Sequence, residues 1–105
     1  LWWKNIYSPI FYTARAFLAK KIFFTREVII SELQAEPWVP ERKSITQMPF
    51  EQQTEHFSIK QLKSNLEFAR KTGIKDIYLW GVEWWYWRKI NGDDSFWNFG
   101  KEALR

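Results

Sequence analysis

Three glutamates set among tryptophans are the residues of this sequence best suited to do chemistry. Glu32 and Glu36 lie in SELQAEPWVP with Trp38 close behind, and Glu83 lies in LWGVEWWYW among Trp80, Trp84, Trp85 and Trp87. A flat indole face packs against the apolar face of a sugar ring, and a carboxylate beside a developing oxocarbenium ion stabilises it or attacks it. Glycoside hydrolysis takes two carboxyls, about 5–5.5 Å apart for retention and about 6.5–9.5 Å apart for inversion. Sequence alone does not set that distance. Plainer roles stand beside these. Glu32 also suits a solvated strand-end acid paired with Arg26 or Lys43, Glu36 a hydrogen bond to loop backbone, and Glu83 the orientation of a neighbour. Some of Trp84, Trp85 and Trp87 must pack inward. Trp80 is the first choice for a sugar platform and Trp84 the second, while Trp38 is as readily exposed as buried.

Other chemistries lack their residues. With no Cys, disulfide scaffolds, thiolate metal sites and thiol nucleophiles are excluded. His56, the only histidine, sits between Glu55 and Phe57 ahead of a helix cap and reads as a surface residue. Ser31 and Ser44 have no histidine near them in sequence, so a catalytic triad has no support. Asn91, Asp93 and Asp94 lack the spacing and closing Glu of a calcium loop and read as a turn and cap. Four glycines leave no phosphate-binding loop. No cofactor and no metal are expected.

The chain has 105 residues, a net charge of +4, 46% hydrophobic and 20% aromatic residues, the composition of a folded chain of one domain or part of one. No like-charge run exceeds two residues, so there is no basic stripe and nucleic acid is not an expected partner. The aromatic N-terminal stretch is broken by Lys4, Arg15, Lys20 and Lys21 well short of the roughly 20 clean residues of a membrane span, and it lacks the regions of a signal peptide. A membrane is not an expected partner either. The opening Leu suggests a piece cut from a longer protein.

Apolar residues at three- and four-residue steps predict a helix over Pro9–Phe24, opened by Ser8 and Pro9. The β-branched run Val28–Leu33 predicts a buried strand, and the prolines between Glu36 and Phe57 a long loop. Ser58 and Gln61 form a capping box for a second helix with a buried stripe of Ile59, Leu62, Leu66 and Ala69, basic residues Arg70 and Lys71 in its last turn, and Gly73 as its stop. A second strand is predicted over Asp76–Val82, with LWGVEWWYW continuing as the loop after it, then a turn at Asn91–Asp94 and a short helix over Ser95–Leu104. Strand, helix, strand with apolar strands implies parallel pairing and a right-handed crossover. Two parallel strands do not make a stable sheet alone, so the class is α/β and the chain a terminal segment of something larger, apt to aggregate or oligomerise if made alone.

IISELQ resembles the seventh strand of clan A glycoside hydrolases, the (β/α)8 barrels that include cellulases and β-galactosidases, in which a Glu ending that strand is the nucleophile. LWG at Trp80 resembles their eighth strand, which commonly ends in a Trp under the sugar at the cleavage site. The longer strings SELQAEPW and GIKDIYLWGVEWWYW look like a bacterial group of cellulase-like barrels. The resemblance implies a C-terminal fragment of a TIM barrel spanning residues 1–105, with Leu1–Trp3 as the tail of strand six, then helix six through helix eight; a whole barrel takes about 250 residues. It further implies a retaining mechanism on a β-linked oligo- or polysaccharide, with Glu32 as nucleophile and Trp80 as platform. The clan's general acid follows the fourth strand in an Asn-Glu pair that this chain lacks, and Glu36 follows the wrong strand to replace it. The fragment is therefore expected to be inactive alone and to need the missing barrel strands of its parent chain. The alternatives are a non-catalytic carbohydrate-binding barrel and an aromatic-rich protein-interaction domain.

Overall fold

Two short parallel strands, each reached through a helix, frame the protein in a computed structural model that describes residues 7–39 and 43–105. In chain order the elements are α1 (Pro9–Ile22), β1 (Ile29–Gln34), a 3-10 turn (Ile45–Gln47), α2 (Phe50–His56), α3 (Ile59–Lys71), β2 (Asp76–Trp80), α4 (Val82–Ile90) and α5 (Ser95–Ala103). The expected parallel pairing of a strand–helix–strand unit is present, as β1 beside β2. The strand expectation for Leu1–Trp3 lies outside the described residues. No helix among those described is long and apolar enough to cross a membrane.

The capping box of α3 forms as its sequence specifies: Ser58 N–H donates to Gln61 Oε1 at 3.0 Å, and Gln61 N–H to Ser58 Oγ at 3.3 Å. Leu62, Leu66 and Ala69 are buried along its stripe, and Gly73 follows it with φ 72°. Two expectations are corrected. The segment Glu36–Phe57 is not loop throughout, because it holds the 3-10 turn and α2. The residues after Trp80 are helix rather than loop, since Gly81 turns the chain directly from β2 into α4. Consequently β2 stops at Trp80 rather than Val82. Separately, β1 runs one residue later than expected at each end and is not the buried strand expected, since Leu33 alone of its residues is buried.

The chain divides into two compact units. One comprises the described part of Leu1–Leu33 with Ser64–Tyr78. Its interior is small, with Leu33, Leu66 and Ala69 as its buried apolar residues. Thr13 of α1 donates its hydroxyl to the Thr72 carbonyl at 2.6 Å, and Tyr12 meets Phe68 edge-on at 5.8 Å. No residue of α1 is fully buried, and Ile10, Phe11, Phe17, Leu18 and Ile22 are exposed. A groove of about 610 Å³ runs beside this helix, walled by Ala16, Ala19, Ile29, Ile30 and Ile74.

The other unit comprises the described part of Gln34–Lys63 with Leu79–Arg105. Aromatic rings fill it: Trp84 packs on Phe96 at 4.6 Å and on Phe57 at 6.4 Å, and Trp85 is 2% exposed. Fully buried Gln53 accounts for α2, which sparse apolar spacing did not reveal. Its amide donates to the carbonyls of Ile45 and Met48 and accepts from Trp84 Nε1 at 2.9 Å, so its hydrogen-bonding groups are used while it is out of water. Buried Arg88 ties the unit further, donating to Thr54 Oγ1 at 3.0 Å and stacking over Phe50, Phe96 and Trp84. It also pairs with Asp93.

Burial pushes the Asp93 carboxyl upward, but hydrogen bonds from Ser95 and the Arg88 guanidinium outweigh it and hold the group below its ordinary range. A folded value below the unfolded one gives stability that is present above the ordinary carboxylate range and lost as pH falls through the depressed value. Asp93→Asn should therefore flatten the acid side of the stability profile, measured as melting temperature from about pH 6 down to about pH 2. Parallel profiles for the variant and the parent would show that Asp93 is not the group responsible.

Candidate functional site

The candidate residues at the end of β1 owe their positions to buried hydrogen bonds. Ala35 N–H donates to the Trp80 carbonyl at 2.8 Å, continuing the strand ladder, and Trp85 Nε1 donates to the Ala35 carbonyl at 2.7 Å. Gln34 Nε2 then donates to the Glu36 carbonyl at 2.9 Å. With Ala35 and Pro37 buried on either side, the backbone carrying Glu36 is fixed.

Gly81 completes the arrangement. Its φ of 104° belongs to the left-handed region, and a Cβ built there would stand 2.3 Å from Glu36 Cγ, so the Glu36 side chain lies directly on the glycine backbone. Gly81→Ala must pay for both the backbone strain and the clash. It should cost roughly 2–4 kcal/mol in urea unfolding. A loss below about 0.5 kcal/mol, the usual size for an uncrowded surface change, would contradict the packing described.

Burial raises the tendency of Glu36 to hold a proton, and Glu83 raises it further by repulsion. Both line a recess of about 390 Å³ that also takes in Ser44, Ile45, Thr46, Trp84 and Trp87. Ser44 Oγ and Thr46 Oγ1 are hydrogen-bonded to each other at 2.7 Å. Glu83 stands exposed in the first turn of α4, where the helix end favours an anion. Trp38 and Trp80 meet edge-to-face with centroids 6.0 Å apart and an interplanar angle of 66°, and remain 64% and 42% exposed.

The remaining candidates are distributed as follows. Trp84, 3% exposed, spends its indole N–H on Gln53 and forms part of the recess wall. Trp85 belongs to the core. Glu32 is exposed on β1, sharing its strand face with Ile30 and lying two residues before the strand ends. His56 is exposed at the end of α2. Among the described residues, no group of three or more His, Asp or Glu could hold a metal ion. Sequence reasoning missed Ser44 and Thr46 and took Trp87 only as one of the cluster around Glu83, for nothing in their local pattern distinguishes a recess wall from an ordinary loop or packing residue.

Comparison with protein-family models, with curated proteins and with solved structures finds no match to the chain. Its chemistry is therefore read from the residues themselves. Exposed indoles, half-buried carboxyl and paired hydroxyls together suit a polyhydroxylated ligand with apolar ring faces.

Proposed function

We propose that this chain is the C-terminal part of a clan A-like glycoside hydrolase barrel, acting on a β-linked saccharide by a retaining mechanism in its full-length parent. The exposed pair of Trp38, in the loop four residues after β1, and Trp80, at the end of β2, is the observation that carries the reading. Ligands of parallel α/β proteins bind at the carboxyl ends of strands, and stacking indoles there suit sugar rings. The resemblance of IISELQ and LWG to two barrel strands adds the catalytic assignment. Exposed apolar residues along α1, with a two-stranded parallel sheet, support a parent that supplies further strands and helices.

In this mechanism a carboxylate oxygen of Glu32 attacks the anomeric carbon as the glycosidic bond breaks, and an acid outside this chain protonates the departing oxygen. The same outside residue then deprotonates water, which displaces Glu32 and regenerates its carboxylate. On the resemblance Trp80 holds the sugar, with Trp38 against it, and Glu36, Glu83 and Trp84 of the same compact unit are further candidates for sugar contact. Replacement of Glu32 by Gln in the intact protein, scored for turnover and sugar binding together, is the test; turnover at the parent rate overturns the catalytic assignment.

A further inference from the structure

We propose that the recess bordered by Glu36 and Glu83 selects a cationic sugar, a hexosamine unit bearing a free ammonium group, over a neutral hexose. The proposal rests on the saccharide reading above and names the substrate class of that site. Its described lining holds two carboxyls and no basic side chain. A carboxylate accepts hydrogen bonds and donates none, whereas an ammonium offers three donors and no acceptor. The Ser44 and Thr46 hydroxyls already bond each other, which leaves the carboxyls as the polar groups most in need of a partner.

Geometry makes that need larger at Glu36 than at Glu83. Glu36 is half-buried with its stem pressed on Gly81, so water reaches its side chain less freely. Glu83 faces solvent and adds repulsion. A neutral sugar leaves the pair to be met either by a proton on Glu36 or by a poorly hydrated charge, while an ammonium hydrogen-bonded to Glu36 relieves both. The recess volume lies within the range usual for small-ligand sites. With a net charge of +4, the protein as a whole repels cations, so any preference for one must arise locally.

The experiment is calorimetric titration of the intact protein with a β-linked glucosamine tetramer and with cellotetraose, near about pH 6, where the sugar amines are largely protonated. The glucosamine tetramer should bind at least about tenfold more tightly than cellotetraose. Glu36→Gln and Glu83→Gln should each shrink that ratio to within about threefold. Equal binding of the two tetramers, or a preference unchanged in both variants, overturns the inference and leaves the saccharide reading standing. Failure of both tetramers to bind at millimolar concentration overturns the two together.

Discussion

Glu32→Gln in the intact protein is expected to slow turnover of a β-linked saccharide by about 10⁴-fold or more while leaving sugar affinity within about threefold. An amide has the shape of the carboxyl but cannot form the glycosyl ester, so the first chemical step loses its nucleophile. The exposure of Glu32 on β1 limits the cost of the change to the fold, expected within about 0.5 kcal/mol. Tryptophan fluorescence supplies the binding readout, since Trp38 and Trp80 are solvent-exposed where a sugar would stack. Loss of both turnover and binding would indicate a positioning role for Glu32, and retention of both would leave a solvated strand acid. Unchanged fluorescence of the parent protein with every sugar would instead favour the interaction-domain alternative.

Trp85→Ala should produce the largest loss of stability, about 3–5 kcal/mol in urea unfolding. The indole is 2% exposed and packs so closely on α5 that a Cβ at Gly100 would lie 2.3 Å from its Cζ3. Alanine opens a cavity there and also leaves the Ala35 carbonyl without its donor, a group that water must reach or that stays unpaired. Trp85→Phe loses the hydrogen bond but keeps a smaller ring in the core, so it opens less of a cavity than alanine does. A loss of about 1–3 kcal/mol is expected for Phe. If alanine costs no more than phenylalanine, packing against Gly100 is not what holds α4 to α5. Both variants should also disturb Glu36, whose backbone follows Ala35.

Elements encoded by neighbours in sequence were legible before any fold was known. Ser58 and Gln61 cap α3 through bonds spanning three residues, and Gly73 ends it. Parallel pairing followed from the order of apolar runs. Helices α2 and α4 were not legible, for different physical reasons. In α2, Pro49 read as a breaker although it stands at the start of the helix, and the anchor is Gln53, a polar residue bonded to groups elsewhere in the chain. In α4, VEWWYWRKI is rich in aromatics of modest helix propensity, and burial of Trp84 and Trp85 overrides that preference. Arg88 and Lys89 in its last turn, followed by Asn91-Gly92, were the available signals. At the site, Glu36 and Trp38 were visible as types, whereas the contact of Glu36 with Gly81 and the role of Ser44 and Thr46 depend on packing across the chain.

Each compact unit is assembled from two separated stretches of polypeptide, Gln34–Lys63 with Leu79–Arg105 in one of them. On a ribosome, the first of those stretches emerges well before Trp84 and Phe96, which pack on Phe57, Trp84 also donating to Gln53. Synthesis at about 5–20 residues per second leaves Phe57 waiting a few seconds for its partners. During that interval α3, whose cap is local, is the element best equipped to form, and the apolar surface around it is what a nascent-chain chaperone would meet first.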